Sequence, residues 1–96
     1  MKNRMRPIHP GEILREEYLL PLDMSANRLA ESLHVPANRI SAIVNGERNI
    51  TAGTALRLAK FFGTAPEFWL NLQQAFELRT AERDIDLKVI RALKVG

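Results

Sequence analysis

Proline and glycine constrain this chain most, because they divide it into segments whose lengths suit short helices. None of these segments alternates apolar and polar residues in the manner of a half-buried strand. The sequence therefore predicts an all-α fold. The dividing residues are Pro7, Pro10, Gly11, Pro21, Pro36, Gly46, Gly53, Gly63 and Pro66.

The first helix is predicted from Gly11 to Leu20, because Pro10 suits a helix start and Pro21 ends the pattern. Helical spacing along it predicts an inward face, which consists of Ile13, Leu14, Tyr18 and Leu20.

Two further helices are predicted close together. Ser25 is a good N-cap for a helix from Ala26 to Leu33. Pro36 suits the first turn of the next helix, which ends near Asn45 and Gly46. Their apolar stripes consist of Leu29, Ala30 and Leu33 in one helix, and of Ile40, Ile43 and Val44 in the other.

A fourth helix follows Thr51 and ends at Gly63, with an apolar stripe of Ala55, Leu58, Ala59 and Phe62. Thr64 and Glu67 have the spacing of a capping box at the start of a fifth helix. A short last helix is predicted from Leu87, Val89, Ile90, Leu93 and Val95.

The composition limits the classes of protein that fit. A length of 96 residues, 46% of them hydrophobic, suits one domain, and the absence of cysteine excludes disulfides and thiolate metal sites. No signal peptide is recognisable, and no apolar run approaches the roughly 18 residues of a membrane span. We therefore expect a soluble, cytoplasmic protein, and its net charge of +3 is compatible with nucleic acid.

The second and third helices have the residue pattern of a DNA-binding helix-turn-helix between Ser25 and Val44. Ala30 is small where the helices cross, and His34 lies at the turn. Ile40 and Ile43 fix the recognition helix to the core.

The segment from Val35 to Gly46, VPANRISAIVNG, resembles the recognition segment of the lambda-repressor-like (XRE) helix-turn-helix family. Three other blocks, HPGEIL at 9–14, TALRLA at 54–59 and FWLNLQ at 68–73, are similar to HigA-type antitoxins. The resemblance covers roughly residues 8–80. One departure is His34, where the family usually has a left-handed glycine, but histidine tolerates that conformation.

This resemblance implies a five-helix lambda-repressor-like domain, which we place at 10–80. From its own residues, the rest of the chain is predicted to form a flexible basic N-terminal arm at 1–9 and a C-terminal helical extension at 81–96. It also implies a protein that dimerises, represses its own operon and neutralises a ribosome-dependent, mRNA-cleaving toxin of the HigB type.

Residues on the outer face of the third helix are predicted to enter a DNA major groove. Arg39 suits guanine, Asn38 suits adenine, and the Ala42 methyl suits a thymine methyl. Ser41 shares this face, and Ala37 offers only packing. Phosphate contacts are predicted for the flanking residues Asn27, Arg28, Asn45 and Arg48.

Each of these residues also has an ordinary structural explanation. Arg28 lies within helical reach of Glu31, and Asn27 and Asn45 suit caps or turns. Three basic residues of the arm are predicted either to reach DNA phosphates or to belong to a disordered terminus. They are Lys2, Arg4 and Arg6. Four acidic residues in and after the first helix are predicted either to contact a basic toxin or to form a solvated surface. They are Glu12, Glu16, Glu17 and Asp23.

The fifth helix is apolar over more than half of its circumference, which favours a symmetric dimer through this helix or the last one. The residues predicted for that interface are Phe68, Trp69, Leu72 and Phe76, each of which also suits the core.

The same residues also bear on functions other than that of an antitoxin. The alternative to an antitoxin is a free-standing regulator without a toxin, which the sequence separates poorly from it, and a purely protein-binding bundle is a further alternative. An enzyme is not predicted, since the chain has two histidines, no cysteine, no glycine-rich phosphate loop and no paired metal ligands. We accordingly expect no cofactor, no metal and no small-molecule substrate.

Overall fold

The computed structural model of the chain describes residues 6–94. Every regular element within this range is helical, which confirms the all-α prediction. A π-helical segment, Leu14–Leu19, continues the first helix, and a 3-10 turn, Leu87–Val89, follows the last. The α-helices are α1 (Pro10–Ile13), α2 (Ala26–Leu33), α3 (Ala37–Val44), α4 (Ala52–Phe62) and α5 (Pro66–Asp84).

The start of α1 is built from three consecutive residues with different tasks. The Nδ1 atom of His9 accepts a hydrogen bond from the Gly11 N–H at 2.9 Å and so caps the helix. Pro10 occupies the first turn, where its missing N–H costs nothing. At Gly11 the backbone passes so close to the Ile43 carbonyl that a Cβ would overlap it.

The π-helical segment corrects one sequence prediction. Leu14 and Leu19 are buried, whereas Leu20, which was expected to face inward, is 61% exposed. A π-turn repeats every five residues rather than every four, so Leu19 lies on the same side as Leu14. The segment also ends at Leu19, before Pro21.

The two helices of the predicted motif form as expected. The Ser25 hydroxyl accepts a hydrogen bond from the Arg28 N–H at 3.0 Å, which confirms Ser25 as the N-cap of α2. His34 ends α2 with φ 59° and ψ 47°, which confirms the left-handed conformation. Pro36 precedes α3 as its N-cap residue instead of lying within the first turn.

The core lies where the first helical segment meets α2, α3, α4 and α5, and Trp69 is its largest fully buried side chain. The Trp69 ring packs near Tyr18, with centroids 5.1 Å apart, and its Nε1–H donates to the Thr64 hydroxyl at 2.9 Å. The predicted capping box is therefore wrong. Ala65 holds the N-cap position of α5, because Pro66 begins the helix and the Thr64 hydroxyl is used by Trp69.

Thr51 does hold the N-cap position of α4, although its side chain makes no capping bond. At the other end of α4, Gly63 takes a left-handed conformation with φ 76°, as predicted.

The chain beyond α5 packs little against the rest of the protein. The short last helix is confirmed only as the 3-10 turn, and Val95 lies outside the described residues. Five large apolar side chains here are each more than half exposed: Ile85, Leu87, Val89, Ile90 and Leu93. The radius of gyration is 16.4 Å, against about 12.5 Å for a compact chain of this length, so the molecule is elongated. None of the helices in this range has both the length and the apolar character that a membrane crossing requires.

The close contact at Gly11 predicts an unusual cost for a small substitution. Gly11→Ala is expected to lower the free energy of unfolding by about 3 kcal/mol, because the new Cβ must displace the α3 backbone. Urea denaturation followed by circular dichroism measures this. Gly53→Ala is the matched control, since a Cβ there meets no atom within 4 Å, and it is expected to stabilise α4 by roughly 0.5–1 kcal/mol. Equal effects of the two changes would contradict this account of Gly11.

Candidate nucleic-acid interface

The orientation of α3 is fixed by the two isoleucines on its inner side. Ile40 and Ile43 are both fully buried in the core cluster that contains Leu29 and Ala30 of α2. Residues on the remaining face of α3 are thereby left toward the surface. The predicted crossing of the two helices at a small residue agrees with Ala30, which is 1% exposed.

All nine residues predicted to contact DNA keep accessible side chains. Those of α3 are exposed at Ala37 and Asn38 and half-buried at Arg39, Ser41 and Ala42. The flanking residues Asn27, Arg28, Asn45 and Arg48 are exposed. Three arginines thus lie on or beside the two helices of the motif.

These arginines are not neutralised within the protein. Two salt bridges occur in residues 6–94, Arg6 with Glu12 and Arg15 with Glu16, both at 2.9 Å. Arg28 therefore does not form the pair with Glu31 that the sequence left open. The Nε of Arg39 is buried without a hydrogen-bond partner, so its guanidinium is not held by an acceptor of the chain at that atom.

The helix N-termini differ in how much of their hydrogen-bonding capacity is used. Ser25 occupies one of the first N–H groups of α2, that of Arg28. No side chain caps α3, and the Arg39 N–H bonds to the Pro36 carbonyl at 3.1 Å. The N–H groups of Ala37 and Asn38 therefore stay available to an anion such as a DNA phosphate.

The loop between α3 and α4, which carries Asn45 and Arg48, is held by a side chain of α5. Gln73 is buried, and its Oε1 accepts a hydrogen bond from the Ile50 N–H at 2.8 Å. Its Nε2 donates to a carboxylate oxygen of Glu77 at 2.9 Å. Gln73 was not among the predicted site residues, although its spacing of four from Trp69 sets the two residues on one side of α5.

His9 lies beneath the same loop. Its ring packs edge-on against Phe76 of α5 with centroids 4.9 Å apart, and a Cβ added to Gly46 would lie 3.9 Å from it. The Nε2 of His9 is buried without a hydrogen-bond partner. Burial lowers the pKa of His9, while the nearby backbone of Arg48 raises it by a smaller amount.

A long-range hydrogen bond from α4 holds the turn between α2 and α3. Arg57 of α4 donates to the carbonyl oxygen of Leu33 at 2.6 Å, which satisfies one of the open carbonyls at the end of α2. The Val35 N–H bonds to the Ala30 carbonyl at 3.1 Å and closes the turn around His34. Arg57 was not among the predicted site residues, because nothing local links it to a residue 24 positions away.

The predicted basic arm is only partly within the described residues, since Lys2 and Arg4 lie outside them. Arg6 forms a bidentate pair with Glu12, both bonds being 2.9 Å long. This contact raises the pKa of Arg6 and holds that of Glu12 below its usual value. Arg6 is therefore already engaged with a carboxylate of α1.

The four residues predicted for a dimer interface have different environments. Trp69 is fully buried within the chain and has no surface to offer a partner, so that part of the prediction is wrong for the folded protein. Phe76 is half-buried against His9. Phe68 is 38% exposed, and Leu72 is half-buried beside it.

The fold and the motif match known proteins. The family model for a helix-turn-helix (HTH_3) matches residues 14–69. A HigA-family addiction-module antidote protein from Coxiella burnetii is 56% identical, with a TM-score of 0.85 over 96% of this chain and 100% of that one. The chain belongs to the HigA-type helix-turn-helix family.

Two other relatives extend the comparison of this HigA-type chain. PA4674 of Pseudomonas aeruginosa, solved in complex with its 18-bp operator DNA, is 43% identical, with a TM-score of 0.88 over 93% of this chain and 99% of that one. The uncharacterised HTH-type transcriptional regulator YbaQ of Escherichia coli K12 is 50% identical over 83% of this chain and 71% of its own length. The family consists of DNA-binding regulators and antitoxins, not enzymes, as predicted.

The burial of His9 predicts a pH dependence of stability. Because the folded chain favours neutral His9, the unfolded chain binds a proton first as the pH falls below the usual imidazole value of 6.5. The free energy of unfolding is therefore expected to be highest above that pH and to fall between about pH 7 and pH 5. Thermal unfolding at each pH measures the decline.

The variant that tests this cause is His9→Asn, which retains a capping acceptor but does not titrate. Its loss of melting temperature over the same range is expected to be smaller than that of wild type. His34→Asn is the control for removing a histidine, because asparagine also tolerates the left-handed conformation there. A parallel decline in wild type and His9→Asn would show that His9 is not the cause.

Proposed function

We propose that the chain is a sequence-specific DNA-binding antitoxin that represses its own operon and neutralises a HigB-type, mRNA-cleaving toxin. One observation carries the DNA-binding part: the outer face of α3 is accessible and its arginine has no salt-bridge partner in residues 6–94. The operator complex of PA4674 at 43% identity supports the same reading.

In this proposal α3 lies in the major groove. Arg39 donates its Nη hydrogens to a guanine, Asn38 pairs with an adenine, and Ala42 packs on a thymine methyl. Ser41 is within the same face, and Ala37 at the start of α3 permits a close approach to the DNA backbone. Their half-buried to exposed positions agree with these roles.

Phosphate contacts fix the position of α3 without reading the sequence. Arg28 and Asn27 in the first turn of α2 approach one strand, while Asn45 and Arg48 follow the end of α3. The uncapped N-terminus of α3 adds backbone donors. Gln73 and His9 support the loop of Arg48 from below.

A homodimer is part of the proposal, because a two-fold operator requires two recognition helices about 34 Å apart. Exposed apolar surface supports an interface at the end of the chain. Leu78 of α5 is 59% exposed, and the segment Ile85–Leu93 contributes the five exposed side chains described above. A monomer would leave all of these residues in water.

The toxin partner rests on family membership and not on a contact within the chain. The 56% identity to an addiction-module antidote protein supports it. The second candidate is a regulator without a toxin, with which the 50% identity to YbaQ, an uncharacterised HTH-type transcriptional regulator, is also compatible. Arrest of growth by the neighbouring gene, relieved by co-expression of this chain, distinguishes the two.

The proposed contact between Arg39 and a guanine predicts the effect of one substitution. Arg39→Ala is expected to weaken binding to the DNA upstream of the chain's own gene by about 1–3 kcal/mol, because a bidentate base contact is lost. A mobility-shift titration with excess competitor DNA measures this. Arg79→Ala, an exposed arginine on α5, is the matched control and is expected to bind like wild type. Wild-type binding without preference over competitor would overturn the repressor proposal.

The dimer proposal predicts a mass. Wild type at micromolar concentration is expected to scatter light as a particle of twice 10.9 kDa, and joint Leu87→Glu and Ile90→Glu substitution is expected to give monomers that bind the operator more weakly. Leu22→Glu is the control, because Leu22 is 56% exposed in the loop after the first helix, against 59% for Leu87. A monomeric wild type would exclude the proposed interface.

A further inference from the structure

The loop between α3 and α4, residues 45–51, is held differently in its two halves. The first half is tied to α3 by the backbone N–H groups of Gly46 and Glu47, whose hydrogen bonds are 3.0 and 2.8 Å long. The N–H groups of residues 48–50 make no backbone hydrogen bond within the part of the chain that the structure describes. Arg48, which is exposed and assigned to a DNA phosphate, lies in this second half.

A side chain of α5 ties the second half. The Ile50 N–H donates to the Oε1 of Gln73 at 2.8 Å. Both residues are buried, Ile50 at 3% exposure and Gln73 at 5%, so water replaces this acceptor only if the loop moves. The position of Arg48, two residues before Ile50, is therefore set from α5.

The direction of the Gln73 amide is fixed in turn by Glu77, one turn further along α5. The oxygen of a side-chain amide only accepts hydrogen bonds, and its nitrogen only donates them. A Glu77 carboxylate oxygen accepts from the Nε2 of Gln73 at 2.9 Å. Because a carboxylate cannot donate, it keeps Nε2 toward itself and leaves Oε1 toward the Ile50 N–H. A reversed amide would bring two donors together at Ile50.

We propose that Gln73 and Glu77 are positioning residues for DNA binding, and that they act through the phosphate contact of Arg48. The inference rests on the proposed DNA-binding function, and it adds two residues of α5 that lie outside the nine assigned to DNA. Neither residue needs to touch the DNA for this effect.

The charge of Glu77 makes this role easy to distinguish from a simple electrostatic one. Glu77 is exposed, and a negative charge on a DNA-binding protein opposes the approach of a polyanion. Electrostatics alone therefore predicts that removing this charge strengthens binding. The two hydrogen bonds of Gln73 predict the opposite, because Glu77 keeps the loop in its binding position.

The expected effect is confined to the phosphate contact. A loop that is fixed before DNA arrives loses little conformational freedom on binding, so loosening it weakens the contact of Arg48. The base-reading residue Arg39 lies on α3, which Ile40 and Ile43 hold in the core independently of this loop. Loosening the loop is thus expected to lower affinity for all sequences and to keep the preference for the operator.

The first test titrates the DNA upstream of the chain's own gene at several salt concentrations. Gln73→Met removes the acceptor and keeps the length of the side chain. It is expected to raise the Kd about five- to tenfold and to reduce the salt slope by about one, as Arg48→Ala does. In the Arg48→Ala background it is expected to have no further effect. Gln74→Met, the same change at an exposed neighbour, is the control.

The second test changes the surface residue. Glu77→Lys places a donor where the amide needs an acceptor, and it is expected to raise the Kd roughly threefold in spite of the added positive charge. Glu77→Gln also removes the charge but retains an accepting oxygen, so it is expected to rescue binding. Glu82→Lys, the same charge change at an exposed position of α5, is the control and is expected to bind as tightly as wild type or more tightly.

Hydrogen exchange of the Ile50 amide, measured by NMR without DNA, is expected to be faster in Gln73→Met and Glu77→Lys than in wild type. Thermal melting shows whether each variant is folded. Glu77→Lys changes an exposed side chain, so it decides the question even if Gln73→Met does not fold.

The outcomes separate this inference from the function on which it rests. A selective wild type with Glu77→Lys binding as tightly as Glu82→Lys overturns the inference alone, and shows that burial of Ile50 suffices to hold the loop. A weakened Gln73→Met whose effect adds fully to that of Arg48→Ala also overturns it, because the residue then acts elsewhere. A wild type without preference over competitor DNA overturns the DNA-binding function and this inference with it.

Discussion

The contact between the first turn of α1 and the last turn of α3 at Gly11 is the constraint on which the rest of the structure depends. Only a residue without a Cβ lets the α1 backbone reach the Ile43 carbonyl. His9 and Pro10 begin α1 at the right residue for this approach, one by capping and the other by occupying the first turn. The position of the candidate DNA-reading helix is thereby set by a backbone contact, which leaves its outer side chains free for a ligand.

Long-range polar contacts of α4 and α5 then fix the two ends of the motif. Arg57 holds the turn after α2, and Gln73 holds the loop after α3. The buried Gln73 amide is costly to leave unpaired, by about 1–3 kcal/mol, so its contact specifies one arrangement of the loop after α3. Because α5 supports that loop and also leads into the exposed C-terminal segment, the candidate reading face and the proposed dimer surface are joined by one rigid helix.

Three surfaces of different chemistry lie on different elements of the chain. Arginines without salt-bridge partners in residues 6–94 lie on or beside α2 and α3, carboxylates lie along the first helical segment, and exposed apolar residues follow α5. These three surfaces differ in their chemistry: the first is cationic, the second carries carboxylates and the third is apolar. A chain of 96 residues carries them on a single core.

Local patterns in the sequence determined the helices and the motif, because spacing, caps and turns act within a few residues. The Ser25 cap, the left-handed His34 and the buried faces of Ile40 and Ile43 were all predictable in this way. The π-turn that buries Leu19, the pairing of Thr64 with Trp69 and the role of Gln73 were not. Each depends on which groups meet after the helices pack, and apolar periodicity alone does not say whether a residue such as Trp69 faces its own core or a partner. The sequence thus determined which elements form, and the tertiary structure decided which of their side chains stay at the surface to bind.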